Sequence, residues 1–166
     1  LYKYTGQNDI IIGCAIAGRK HPDLHHIIGM FVNALGIRNF PSGEKTYLEL
    51  LHEVKESSVN AFDNQDVQFE DLVDKLDFPR DFSRNPLFDV LFVMQNYERG
   101  NAQQPEPEKQ PEPGNSDEQY GPVSTTSQFD MELGGKEVDD RVIFYLEYST
   151  KLFKRETIDT FAEQYI

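Results

Sequence analysis

Four histidines, His21, His25, His26 and His52, are the side chains whose ordinary pKa suits proton transfer near neutral pH. The adjacent pair His25-His26 is the natural place to look for a general base. His52 falls off the apolar stripe of the helix that should carry it, so it is expected in solvent. The single cysteine, Cys14, lies in the apolar run Ile10 to Ala17, where an inert buried thiol is expected rather than a nucleophile. No Gly-Xaa-Ser-Xaa-Gly or phosphate-cradling glycine loop occurs, no Cys/His set has zinc spacing, and the carboxylates are scattered, so no metal site is expected. Arg19 stands out: it closes the turn Ala17-Gly18-Arg19 at the end of a buried strand, where side chains reach a cleft in sheet proteins. An ordinary surface arginine is the competing reading. By itself the chain carries no complete catalytic set.

The elements that must position these residues follow from pattern. Residues 9–17 (DIIIGCAIA) form a continuous β-branched apolar run, the mark of a strand buried on both faces. A short helix fits 21–28 and a second strand fits 30–38. Thr46 and Glu49 form a capping box, and Tyr47, Leu50, Leu51, Val54, Ala61 and Phe62 recur at helical spacing, predicting a helix over 46–62. A further helix is predicted over 68–76, with Asp66 as its cap and Pro79 beyond its end. Residues 87–96 (LFDVLFVMQN) read as another buried strand. Phe129 to Leu133 and Val142 to Tyr148 read as strands joined near Gly134-Gly135 or Asp139-Asp140, and Ile158, Phe161, Ala162 and Tyr165 mark a last helix with Lys154 at its cap position. Between them, 99–122 holds five of the nine prolines among Glu, Gln, Asn and Gly, and is expected to be a flexible loop inside one unit spanning 1–166.

Composition narrows the classes. With 166 residues, 38% hydrophobic and 12% aromatic, the chain can build one core. A net charge of −13 argues against nucleic acid and against an anionic membrane surface. One cysteine and no signal or membrane-length apolar run suggest a cytoplasmic setting. The start at Leu1 and the end at Tyr165-Ile166, inside a helical pattern, are expected of an excised piece.

Three blocks mix packing residues with polar ones that a plain core would not need: Ile28-Gly29-Met30-Phe31-Val32-Asn33, Asn64-Gln65-Asp66-Val67-Gln68-Phe69-Glu70, and Arg80-Asp81-Phe82-Ser83-Arg84-Asn85-Pro86-Leu87. Their order and spacing, with the stretch from Tyr4 to Arg19 before them, resemble the late signature blocks of the condensation domain of nonribosomal peptide synthetases. One departure is Gln68, where that family commonly has Pro, which should loosen the helix entry; another is the long Pro/Glu stretch. The family's catalytic block, two His, three further residues and Asp-Gly, is absent: Met30 and Phe31 stand where Asp and Gly should follow His25-His26, so that pair is set aside.

The resemblance implies the second, C-terminal lobe of such a domain, in a chloramphenicol-acetyltransferase-like α/β (α+β) sandwich with a mixed sheet covered by helices. It implies peptide-bond formation between aminoacyl or peptidyl thioesters held on the phosphopantetheine arms of partner carrier domains, with no cofactor bound directly. In that family the Asp of the His block pairs with an arginine of the other lobe, which maps to Arg19. Asn33 sits between Val32 and Ala34 in a strand; a buried Asn needs partners, whether as a brace of the cleft or to satisfy a bulge. Gly29, Gln95 and Asn96 are expected along the substrate channel, and Asp66, Arg80, Asp81, Arg84 and Asn85 in structural motifs, the last four as an ion-pair network and turn. Expected partners are the N-terminal lobe and the peptidyl carrier and adenylation domains. The isolated piece should be inactive and should self-associate through its uncovered face. A non-catalytic docking module of the same fold, an epimerisation domain and a generic acyltransferase of the superfamily are the alternatives; the three blocks together favour condensation.

Overall fold

A computed structural model describes residues 1–76, 81, 84–95, 126–138 and 141–165. The flexible-loop expectation for 99–122 lies outside the described residues, as do Arg80 and Asn96. In chain order the elements are α1 (Tyr2–Thr5), β1 (Ile10–Ile16), a 3-10 turn (Pro22–His26), β2 (Asn33–Asn39), α2 (Tyr47–Asp63), α3 (Phe69–Leu76), β3 (Val90–Gln95), β4 (Met131–Val138), β5 (Arg141–Tyr148) and α4 (Arg155–Tyr165).

Among the described residues the strands form one five-stranded sheet in the order β2-β1-β3-β4-β5. β1 and β2 pair antiparallel, β1 with β3 and β3 with β4 parallel, and β4 with β5 antiparallel. The sheet is therefore mixed, as the sequence pattern and the resemblance imply. Both α2 and α3 pack on β2. α4 meets the other end of the sheet, where the Tyr165 ring stands edge-on to Phe144, centroids 5.6 Å apart.

The core centres on Phe88, which is 4% exposed. Its ring fills the space over Gly13 that a Cβ would occupy. It lies 5.4 Å from the Phe69 ring of α3 and 5.8 Å from Phe129. Glycine in the middle of the β1 run thus admits a ring against the backbone. Ile16, Leu35, Leu91, Met131 and Ile158 complete the buried apolar set among the described residues.

Several boundaries differ from the sequence expectation, each for a non-local reason. β2 begins at Asn33 because its partner β1 ends at Ile16, the two being in register. Gly18, at φ +64°, then turns the chain away and leaves 30–32 without a ladder. β3 begins at Val90, the residue opposite Met131. Gly134 and Gly135 lie inside β4, not in a turn: the rings of Tyr145 and Phe144, directly opposite on β5, take the space of their missing side chains. The other expected turn, Asp139-Asp140, falls between the two strands but outside the described residues. The unforeseen α1 is capped by Gly6 in the left-handed region and tied to α4 by the Tyr4 hydroxyl donating to Gln164 at 2.8 Å.

Candidate functional site

Because β1 and β3 run parallel and β2 runs against them, the C-terminal ends of β1 and β3 and the start of β2 share one end of the sheet. That end carries Arg19, Gly29, Asn33 and Gln95 of the expected site residues. Asp66 joins them through the α2–α3 connection. A pocket of about 210 Å³ opens there, lined on one side by Met30, Phe31 and Val32 and on the other by Gln65, Asp66 and Gln68, with Gly18, Lys20 and Asn33 completing it.

The floor is set by glycine chemistry. Gly18 adopts φ +64°, and a Cβ there would overlap the carbonyl oxygen of Phe31. Only glycine lets the exit of β1 pass this close to the segment that leads into β2.

Arg19 does not extend into bulk solvent. Its Nη1 donates to the carbonyl oxygens of Leu24 and, at 2.8 Å, Ile27, and its Nη2 donates to that of Gly29 at 3.2 Å. The guanidinium carbon lies 4.3 Å from the centroid of the Phe31 ring, a cation–π geometry. Gly29 therefore serves as a backbone acceptor for Arg19. Of the five N–H donors of the guanidinium, the three bonds leave the Nε–H and one Nη2–H without a partner among the described residues.

Lys20 reaches across the pocket to Asp66, Nζ to Oδ2 2.7 Å, with side chains 42% and 79% exposed. Such a pair contributes at most about 1 kcal/mol. Asp66 is thereby occupied as an ion-pair partner and is not the cap of α3. The first N–H of that helix, on Phe69, donates instead to Oδ1 of Asn33 at 3.1 Å. Asn33 thus braces the pocket wall, and β2 opens on it without a bulge.

His25 and His26 are exposed, and His25 Nε2 lies 3.3 Å from the Arg19 carbonyl oxygen. His52 is 72% exposed on α2 beside Glu56. Cys14 is half-buried, and burial raises its thiol pKa, which suppresses the thiolate. Among the described residues no His/Cys/Asp/Glu cluster could hold a metal ion, and no helix is long and apolar enough to cross a membrane.

The third block sits at the opposite end of the sheet. Arg84 Nη2 forms an ion pair with Asp89, just before β3, and Asn85 Nδ2 donates to the Gln128 carbonyl at 3.4 Å. The carboxylates of Asp130 and Asp81 add to the field that raises the Arg84 pKa, after the Asp89 bond itself. The partner of Arg84 is thus Asp89, two residues beyond its own block. Gln95 closes β3 beside a group that the motifs do not flag. Tyr145 lies over Gly134, its hydroxyl 3.4 Å from Glu132 Oε1, with the Gln95 side chain as a further hydrogen-bond partner. Burial first, and then the facing Glu147, raise the Glu132 pKa. The paired register of Glu132 with Glu147 is the signal for this cluster, and it requires the β4–β5 pairing to be known.

This sheet and its helices define one lobe of a chloramphenicol-acetyltransferase-like fold. The four-domain nonribosomal peptide synthetase AB3403, solved in its holo form with AMP and glycine, is similar at a TM-score of 0.75 and 21% identity, over 95% of this chain and 13% of that one. The condensation domain from the monacolin K polyketide synthase MokA is similar at a TM-score of 0.73 and 18% identity, over 99% and 36%. At these identities the likeness establishes the fold.

The family is established independently. The condensation-domain family model matches residues 1–166, and the chain belongs to that family. Bacitracin synthase 3 of Bacillus licheniformis is 48% identical over 166 residues, covering 100% of this chain and 2% of that protein. Gramicidin S synthase 2 of Brevibacillus brevis is 43% identical over 168 residues, covering 100% and 4%. The chain therefore spans only a few per cent of the length of these curated relatives.

Proposed function

We propose that this chain is the lobe of a condensation domain that carries the arginine brace and one wall of the substrate channel for peptide-bond formation. In the reaction, the amine nitrogen of one carrier-bound aminoacyl thioester attacks the carbonyl carbon of a second thioester. The new C–N bond forms, the C–S bond breaks, and the pantetheine sulfur leaves as a thiol, taking up the proton released by the amine.

The observation that carries the reading is the state of Arg19. Carbonyls hold its guanidinium over the ring of Phe31, a residue of the pocket lining, and the two remaining N–H donors, on Nε and Nη2, suit one carboxylate side-on. An arginine supplies such a partner without titrating. In this reading the carboxylate and the catalytic histidine come from the other lobe. Beside Arg19 the side chains of Ile28, Met30 and Val32 are 101%, 91% and 58% exposed, a strip that the other lobe would cover. Carrier and adenylation domains are the further partners, and the phosphopantetheine arms belong to the carriers.

The test is single-turnover peptide-bond formation from two loaded carriers. The intact synthetase containing this chain should form the bond, and the purified 166-residue chain should not. Product from the chain alone would refute the division of labour. The same chain should self-associate through the exposed strip; a strictly monomeric sedimentation profile at high concentration would count against that use of the face. A non-catalytic module that docks a carrier on this lobe is the second reading, favoured by a pocket lining that holds no histidine among the described residues. It predicts carrier binding by the intact protein with no bond formed.

A further inference from the structure

Asn33 is the buried polar side chain among the described residues, 6% exposed, and the reaction proposed above gives it no reacting atom. Its carboxamide is fully used. Nδ2 donates to the carbonyl oxygens of Gln65, at 3.1 Å, and Val67, at 2.9 Å. Oδ1 accepts from the N–H groups of Ala34, at 2.9 Å, and Phe69, at 3.1 Å. Two donors and two acceptor sites are the whole capacity of an amide.

The geometry of those partners is informative. Gln65 and Val67 flank Asp66, so two of the four bonds pin the backbone on either side of the residue that meets Lys20. Phe69 opens α3, so a third bond caps that helix from a strand 36 residues away in sequence. Gln65, Asp66 and Gln68 form the polar wall of the pocket. One amide in β2 therefore sets where that wall stands relative to Met30, Phe31 and Val32 opposite. Aspartate would keep both acceptor bonds and the cap, but would lose both donor bonds and turn a charge toward two carbonyls. Leucine would fill the space and lose all four bonds.

We propose that Asn33 is a positioning residue, which holds the Gln65–Gln68 wall at the width the bound substrate requires and so governs the rate of condensation without touching the reactants. The proposal rests on the peptide-bond reading above. The amide, rather than a generic small polar group, is what the position selects, because donors and acceptors are needed at once.

The experiment uses the intact synthetase that carries this chain, as wild type, Asn33→Asp, Asn33→Leu and Ile158→Ala. Ile158 is 5% exposed in α4 and absent from the pocket lining, so its variant measures loss of stability alone. Residue-resolved hydrogen exchange reads the clamp, and single-turnover bond formation at varied amine-carrier concentration, per folded molecule, reads the reaction. In Asn33→Asp, exchange should rise about tenfold at 65–67 while Phe69 stays slow; in Asn33→Leu all should rise. The maximal rate should fall about tenfold or more in both Asn33 variants, a displaced wall being enough for that, with the half-saturating carrier concentration within about twofold of wild type. Ile158→Ala should keep its rate per folded molecule within about twofold of wild type. Unchanged exchange at 65–67, or an Ile158→Ala loss equal to that of Asn33→Asp, would overturn the positioning role. A wild-type synthetase that forms no bond would sink the peptide-bond reading, and this proposal with it, while the exchange data would still report whether the clamp exists.

Discussion

At the β1–β2 end of the sheet, side chains hold backbone: Asn33 spans two segments, Arg19 gathers three carbonyls, and Gly18 lets two chain segments touch. At the β4–β5 end, backbone ladders and rings do the work: eight register pairs, with Tyr145 and Phe144 lying over Gly134 and Gly135. The first arrangement has polar groups bound in one geometry, as a site must. The second leaves Val138, Val142, Ile143 and Phe144 partly exposed and tolerates adjustment. Rigidity is concentrated where the chemistry is proposed.

That contrast can be broken at its centre or at either end. Phe88→Ala should have the largest effect, about 3–5 kcal/mol of stability lost in denaturant unfolding, since the ring joins β1, α3 and Phe129. A loss below about 1 kcal/mol would mean the core does not centre there.

A matched pair of glycine substitutions compares the two ends directly. Gly18→Ala forces a Cβ into the left-handed region and against the backbone oxygen of Phe31, which cannot step aside; about 3 kcal/mol is expected. Gly134→Ala meets only the far end of the Tyr145 ring, which can rotate outward, so about 1 kcal/mol is expected. Equal losses in thermal unfolding would remove the distinction between the two ends.

The smallest effect concerns Glu132. Its folded pKa is raised by burial and by Glu147, so the folded chain binds the proton more tightly than the unfolded chain. Ionisation therefore opposes folding: the cost is absent below the ordinary value of 4.5 and grows as pH rises through the raised folded value. Glu132→Gln should stabilise the chain at pH 7 by roughly 0.3–0.5 kcal/mol, allowing for solvent screening, and by nothing near pH 4. A stabilisation independent of pH would point to packing instead.

What sequence disclosed and what it hid divide along the same line of locality. The capping box of α2 was legible because Thr46 and Glu49 are neighbours on one turn; the Thr46 N–H donates to Glu49 Oε2 at 2.8 Å and the Glu49 N–H to Thr46 Oγ1 at 3.3 Å. The apolar run of β1 needed no context either. The cap of α3 was not legible, since Asp66, the local candidate, pairs with Lys20 and Asn33 supplies the bond from another element. The sequence did flag Asn33 as a polar residue in need of partners, without saying which. Gly134-Gly135 read as a turn because nothing local announces the rings across the ladder. The four residues of α1 hold too little periodicity to register; Gly6 caps it locally, and the hydroxyls of Tyr2 and Tyr4 tie it to distant partners.

The central claim is that Arg19 completes its hydrogen bonding with a carboxylate that this chain does not supply. An experimental structure of the intact condensation domain tests it most directly. The account predicts a carboxylate from outside these 166 residues on the Nε and Nη2 donors of Arg19, at about 2.7–2.9 Å. A guanidinium bonded only to the carbonyls of Leu24, Ile27 and Gly29, with water on its remaining edge, would contradict it.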